Sequence, residues 1–221
     1  MRNIGVILSG GSGSRFGGKV PKQYCILNGR EVIRYTIEAL RQSDMIQEIV
    51  IVMDQKEYLE NSLQIHSVHR IIGGDTRNAS LYHALTYIKM KWPDCEKVLI
   101  HEAARPFLKK EIVDTYLEKL DTVDAVITTQ HITDSLGRTG QHVVDRNEYY
   151  LIQAPEAFRF QLLYENFSPE STITATSQQL PEGAAVEHYY DFENNMKITY
   201  PKDLYLAEHC MRMEKEDEEA I

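Results

Sequence analysis

Short apolar runs alternate with amphipathic segments through the first 130 residues, and this rhythm limits the fold more than any other feature. The β-prone runs fall at residues 4–8, 48–53, 68–72, 97–101 and 125–129. Segments with helical spacing lie between them at 32–40, 56–65, 81–90 and 112–120. In one of these, Leu81, Leu85 and Ile88 stand at i, i+4 and i+7, a single helix face. Strands separated by helices at this spacing predict βαβ crossovers and a mostly parallel sheet flanked by helices. Ligands of such sheets bind at the carboxyl ends of the strands. Three loops follow strand candidates there: residues 9–24, residues 73–77 and residues 101–106. They are expected to converge on one crevice.

The first loop, Ser9-Gly10-Gly11-Ser12-Gly13-Ser14-Arg15, continues to Lys19 and Lys22. Small residues at a strand end free backbone N–H groups to cradle anionic oxygens, since no Cβ blocks close approach. Arg15, Lys19 and Lys22 add positive charge, so the loop suits a polyphosphate. Two familiar phosphate motifs fail here. Val20 stands where a P-loop needs Ser or Thr, and Phe16 where a dinucleotide fingerprint needs Gly or Ala. Pro21 interrupts a helix that would start directly after the loop.

At 221 residues the chain suits one α/β domain, and a net charge of −9 argues against nucleic-acid or membrane-surface binding. Three cysteines at unrelated spacings fit a reducing cytoplasm, and no stretch nears the ~20 apolar residues of a membrane span. The rhythm breaks between residues 131 and 153, where a polar stretch with Gly137 and Gly140 separates β-prone runs. This predicts a projecting hairpin, which is marginal in water without a partner and so suits a homodimer contact. Residues 195–199 read as a last strand, followed by a helix opened by Pro201 and ending in a charged, frayed tail.

Taken in order, Leu8-Ser9-Gly10-Gly11-Ser12-Gly13-Ser14-Arg15, Pro21-Lys22-Gln23-Tyr24, Gly73-Gly74-Asp75-Thr76-Arg77-Asn78-Ala79-Ser80, His101-Glu102-Ala103-Ala104-Arg105-Pro106, Val144-Asp145-Arg146-Asn147 and Asn195-Met196-Lys197-Ile198-Thr199 closely resemble the 2-C-methyl-D-erythritol 4-phosphate cytidylyltransferase family. That family shares its fold with the ribitol 5-phosphate cytidylyltransferases. The resemblance implies a single Rossmann-like nucleotidyltransferase domain over residues 1–221, with residues 131–153 as a dimerisation arm. It also implies transfer of CMP from CTP to a polyol phosphate with loss of pyrophosphate, Mg²⁺ as cofactor and a cytoplasmic homodimer. The nucleophile of such a reaction is a phosphate monoester oxygen, already ionised near neutral pH because its second pKa is about 6. The site then needs cancellation of anionic repulsion and in-line positioning rather than a general base.

By the same resemblance, Ser9, Gly10, Gly11, Ser12 and Gly13 hold the nucleotide phosphates, while Arg15, Lys22 and Lys197 stabilise charge at the reacting phosphates. Gly74, Asp75, Arg77 and Ser80 belong to the cytosine side. Glu102, with Ala103, meets the ribose or Mg²⁺, and Arg105 lies on the substrate side. Ser135 and Arg146 reach the partner's acceptor site. Asp75 and Arg77 also suit a plain ion pair capping the helix that opens near Ala79. The chain departs from the family pattern at Glu102 and Asn194, where Asp is usual. It departs again at 153–156, where Gln-Ala-Pro-Glu replaces Gln-Thr-Pro-Gln, and at Ala175, where an acid is lost. These departures leave room for a paralogue acting on ribitol 5-phosphate or another alditol phosphate. They also admit a sugar-1-phosphate nucleotidyltransferase using UTP, or a catalytically inactive nucleotide-binding subunit.

Overall fold

The computed structural model describes residues 2–11, 15–18, 20–60 and 65–219. Its first half builds β1 (Arg2–Ser9), a two-strand ribbon β2 (Ile26–Leu27) and β3 (Arg30–Glu31), α1 (Val32–Gln42), β4 (Glu48–Met53), α2 (Gln55–Leu59), β5 (His69–Ile72), α3 (Arg77–Lys91) and β6 (Cys95–Glu102). The second half adds α4 (Lys110–Lys119), β7 (Ala125–His131), β8 (Tyr150–Arg159), α5 (Phe160–Asn166), β9 (Val186–Tyr189) and α6 (Pro201–Glu219). Seven strands form one sheet in the order β5-β4-β1-β6-β8-β7-β9. β5, β4, β1 and β6 run parallel, β7 and β9 pair parallel, and β8 runs antiparallel to both its neighbours.

The period of two along each strand splits the core between the two faces of the sheet. Ile7, Ile51, Leu99 and Val126 point to one side, where they meet Leu40 of α1, Leu117 of α4 and Ala207 of α6. Ile4, Val6, Val52, Val98 and Ile100 point to the other, against Leu81, Leu85 and Ile88 of α3 and Leu163 of α5. Strands covered on both faces read as unbroken apolar runs, which is why β1, β4, β6 and β7 were legible in the sequence. Gly5 lets α1 close on β1, because a Cβ there would lie 2.8 Å from Leu40 Cδ1.

The chain leaves β1 toward β4 and β5, then returns to β6 on the other side of β1. Loops after β1 and β6 therefore diverge at a topological switch point, the usual place for a ligand in an open α/β sheet. Ala103 N–H donates to the Leu8 carbonyl at 3.1 Å and joins the two strand exits.

Four elements differ from what the sequence predicts. Residues 195–199 form no strand and lie outside the sheet, held by the Ile198 N–H on the Ala104 carbonyl at 2.8 Å. The β7–β8 hairpin is present, yet its ladder ends at His131 and Tyr150. Residues 132–149 carry an Arg138–Gln141 bridge and a 3₁₀ turn at Arg146–Glu148 rather than paired strands. β8 runs on past Gln153, where the expected hairpin ends, to Arg159 within the body of the sheet, although proline is rare in a central strand. The ladder absorbs the proline in a register shift: Ile127 faces Glu156, while Thr128 faces Gln153. The C-terminal segment stays helical to Glu219.

Candidate active site

The exits of β1, β4 and β6, with the loop after β5, enclose a cleft of about 600 Å³. Ser9, Gly10, Gly11, Arg15, Lys22, Gly74, Asp75, Arg77, Ser80, Glu102, Ala103 and Lys197 all line it, so the crossover topology assembles most of the expected set. Ser12, Gly13 and Lys19 lie outside the described residues.

At the floor, Glu102 ends β6 between two cations from distant parts of the chain. Lys197 Nζ lies 2.8 Å from both carboxylate oxygens, and Arg105 Nε lies 3.0 Å from Oε2. Burial opposes ionisation of Glu102, but the charges of Lys197 and Arg105 outweigh it and hold the carboxyl at about 2. Lys22 has no acid paired with it among the described residues. Burial first, then the charge of Lys197, lowers its pKa below the usual lysine value. Arg15 stands exposed at the rim. Of these three cleft cations, Lys197 alone has its charge met by a carboxylate among the described residues. Such a surplus attracts an anionic ligand.

Arg105, expected on the substrate side, sits behind the wall of this cleft rather than in its lining. It is 8% exposed, and its guanidinium is spent on Glu102 and on the Asn195 carbonyl at 2.6 Å. That second bond ties the 195–199 segment down and so sets Lys197. His101 is fully buried beneath, with Nε2 donating to the Arg105 carbonyl at 3.0 Å. Its Nδ1 has no partner among the described residues, and burial lowers the ring's pKa to about 4.

Ser80 faces the cleft, but its hydroxyl accepts from Gly74 N–H and donates to the Gly74 carbonyl, both at 3.1 Å. It shapes the turn between β5 and α3. A Cβ on Gly74 would lie 2.6 Å from the Ala79 Cβ, so the turn requires glycine. α3 is capped by Thr76, whose Oγ1 accepts from Ala79 N–H at 3.0 Å, a role for which Thr is well suited. The alternative Asp75–Arg77 pair is not made: Asp75 stays exposed, and Arg77 turns to Glu156 of β8 at 3.5 Å.

Sequence reasoning assigned no individual role to Gln23 or Glu156, and it placed Thr76 in the cytosine-side segment rather than at a helix cap. Gln23 is buried and donates through Nε2 to the Ser9 carbonyl at 2.7 Å and the Gly11 carbonyl at 3.5 Å, fixing the start of the glycine loop. A polar residue directly after Lys22 was the available signal. Asn194, where the family usually has Asp, donates to Glu214 of α6 at 2.6 Å. Ser135 and Arg146 are exposed in the arm and do not line this cleft, and Arg146 donates to the Thr133 carbonyl.

For a hard divalent cation, the described residues hold no cluster of three or more His, Cys, Asp or Glu side chains. Magnesium commonly takes one or two protein carboxylates and completes its shell with substrate phosphates and water. Glu102 fits that mode, because Oε1 accepts from Lys197 alone and keeps a lone pair free.

A cationic cleft at this switch point is shared by many folds, and comparison with known proteins narrows it. The family model described as 2-C-methyl-D-erythritol 4-phosphate cytidylyltransferase (IspD) matches residues 4–213. The chain belongs to this family. Members of it are CTP-dependent nucleotidyltransferases. The enzyme of that name from Thermosipho melanesiensis is 30% identical over 218 residues, covering 92% of this chain and 95% of that protein. The one from Phocaeicola vulgatus is 32% identical over 215 residues, covering 92% and 96%. A bifunctional ribulose 5-phosphate reductase/CDP-ribitol pyrophosphorylase from Haemophilus influenzae is 33% identical over 227 residues, covering 94% of this chain and 48% of that protein. Among solved structures, the family member from Thermus thermophilus superposes with a TM-score of 0.78 at 25% identity, covering 96% of this chain and all of that one. The Anaerococcus prevotii structure shares the fold with a TM-score of 0.80 at 24% identity, covering 96% of each chain. Among the described residues, no helix is long and apolar enough to cross a membrane.

Proposed function

We propose that this chain transfers CMP from CTP to 2-C-methyl-D-erythritol 4-phosphate, releasing pyrophosphate. The observation that carries the reading is the convergence of Arg15, Lys22 and Lys197 on the cleft that also holds Gly10, Gly11 and the Gly74–Arg77 turn. In this reaction an acceptor phosphate oxygen forms a bond to the α-phosphorus of CTP as the α–β bridging bond breaks, and the electron pair leaves with pyrophosphate. Two polyanions must approach, so preorganised cations supply most of the catalysis. Lys22 and Arg15 neutralise the triphosphate, and the backbone N–H groups of Gly10 and Gly11 cradle it. Lys197, braced by Glu102, reaches the reacting phosphates. Magnesium, held by Glu102, would supply further charge neutralisation on the phosphate oxygens.

Acceptor residues come from the arm of a second subunit in this reading: Ser135 and Arg146 are exposed and remote from their own cleft. Exposed Tyr149, Tyr150 and Leu151 at the base of the arm support a homodimer. The 33% identity to the Haemophilus protein that also makes CDP-ribitol favours one second reading, ribitol 5-phosphate as acceptor.

The test is pyrophosphate release from CTP and Mg²⁺ with methylerythritol 4-phosphate, ribitol 5-phosphate, glycerol 3-phosphate and a hexitol phosphate. Turnover confined to the first supports the proposal; turnover of ribitol 5-phosphate alone replaces it with the second reading. Silence with all four sinks both, and CTP binding without turnover would identify an inactive subunit.

A further inference from the structure

Glu156 lies mid-sheet on β8, opposite both Ile100 and Ile127, and is 2% exposed. A carboxylate so placed is costly unless donors surround it. Three do. Thr176 N–H points at Oε1 from 3.3 Å, Ser177 N–H at Oε2 from 3.0 Å, and Arg77 Nη2 lies 3.5 Å from Oε1. All three groups are donors only, so the position calls for an acceptor-only side chain. Glutamine, usual here in the family pattern, would set its own NH₂ against one of them.

Arg77 carries the connection outward. Its Nη1 donates to the Thr174 carbonyl at 2.8 Å and to Thr176 Oγ1 at 3.2 Å, while the side chain lines the cleft. Next to it, Asn78 Nδ2 donates to the Ser171 and Ile173 carbonyls, both at 2.8 Å. The first turn of α3 therefore clasps residues 171–176, and the buried carboxylate anchors the clasp from beneath. With its five donors, Arg77 keeps hydrogens for a ligand in the cleft after meeting these partners.

We propose that Glu156 is a positioning residue for nucleotide binding. It acts through Arg77, so that the nucleotide and the order of residues 171–177 are coupled. This rests on the reading of the cleft as the CTP site. Losing a charge-assisted bond to Arg77 should weaken CTP binding about tenfold. Turnover at saturating CTP should fall far less, since Glu156 touches no reacting atom.

The experiment measures CTP affinity by calorimetry, with Mg²⁺, for wild type, Glu156→Gln, Arg77→Met and the double variant. Amide hydrogen exchange over residues 171–177 is followed with and without CTP. Coupling predicts that the double variant binds no more weakly than Arg77→Met alone, and that CTP slows exchange in wild type but not in Glu156→Gln. Unchanged affinity in Glu156→Gln, or effects that add in the double variant, would overturn it. Should Glu156→Gln fail to fold, Arg77→Lys reads the same link, because a point charge cannot span Glu156 and Thr174 together. Wild type that binds CTP with these couplings but transfers CMP to no acceptor would sink the proposed reaction and leave this inference standing.

Discussion

Lys197 Nζ lies 2.8 Å from each carboxylate oxygen of Glu102, a residue 95 positions earlier in the chain. Arg105 closes on the same carboxylate from behind and holds the backbone of Asn195 with its other arm. One acid thereby sets the position of a cleft lysine directly and, through Arg105, the backbone that carries it. The longer side chain of Glu102, where the family usually has Asp, does not disturb this, because both partners reach it at ordinary hydrogen-bond distance.

Glu102→Gln should therefore damage both fold and activity. It leaves Lys197 and buried Arg105 without their counter-charge, at a cost of about 3 kcal/mol, the low end for buried pairs because the Glu102 side chain keeps 18% exposure. Glu102→Asp keeps the charge one methylene shorter and should hold the fold and most of the rate. Urea unfolding and pyrophosphate release on the two variants check this; equal losses would refute it.

Lys22→Ala removes a half-buried cation with no acid paired to it among the described residues, so the fold loses little. Turnover should fall about 10²–10³-fold if the ammonium neutralises transferring phosphate. A thermal melt beside a rate assay decides it, and full rate in the variant would remove Lys22 from the mechanism.

Acid should weaken the protein in two stages. His101 has its pKa lowered from 6.5 to about 4, so the unfolded chain binds the proton more readily between those values. Its contribution is complete above pH 6.5 and is lost as pH falls toward 4. Glu102, lowered from 4.5 to about 2, adds a second loss as pH falls through that lower window. Urea midpoints at about pH 7, 5.5 and 4.5 should decline in wild type. His101→Gln, which keeps a donor for the Arg105 carbonyl, should flatten the upper stage; an unchanged slope would show that His101 is not its source.

Two glycines should separate fold from ligand. Gly74→Ala drives a Cβ to 2.6 Å from Ala79 and should destabilise by about 1–3 kcal/mol while weakening CTP binding. Gly11→Ala meets nothing within 4 Å among the described residues, so stability should hold. If its N–H cradles phosphate, the added methyl should still raise the KM for CTP. A variant that melts and binds as wild type does would remove Gly11 from the cradle.

Much of the architecture was legible because β1, β4 and β6 are buried on both faces and must be apolar throughout, while α1 and α3 show their core side at helical spacing. The placement of Ser9, Gly10, Gly11, Arg15 and Lys22 along one cleft was legible because they follow the first strand of a parallel sheet, whose strand exits face a common crevice. The reach of β8 beyond Gln153 was not, since the register shift that carries its ladder past Pro155 depends on the neighbouring strand. The partners of Arg105 were not legible either: a cation beside a loop gives no local sign of which way it faces. Its direction follows from Asn195, 90 positions on, whose carbonyl it holds. Local composition determined that this chain would build an α/β sheet with a glycine-rich, cationic loop after its first strand. Which cations face the ligand and which brace the wall, and that Glu156 should be paired with Arg77, were decided only by tertiary structure. Burial sets the cost of each charge, and burial depends on neighbours that sequence spacing does not reveal.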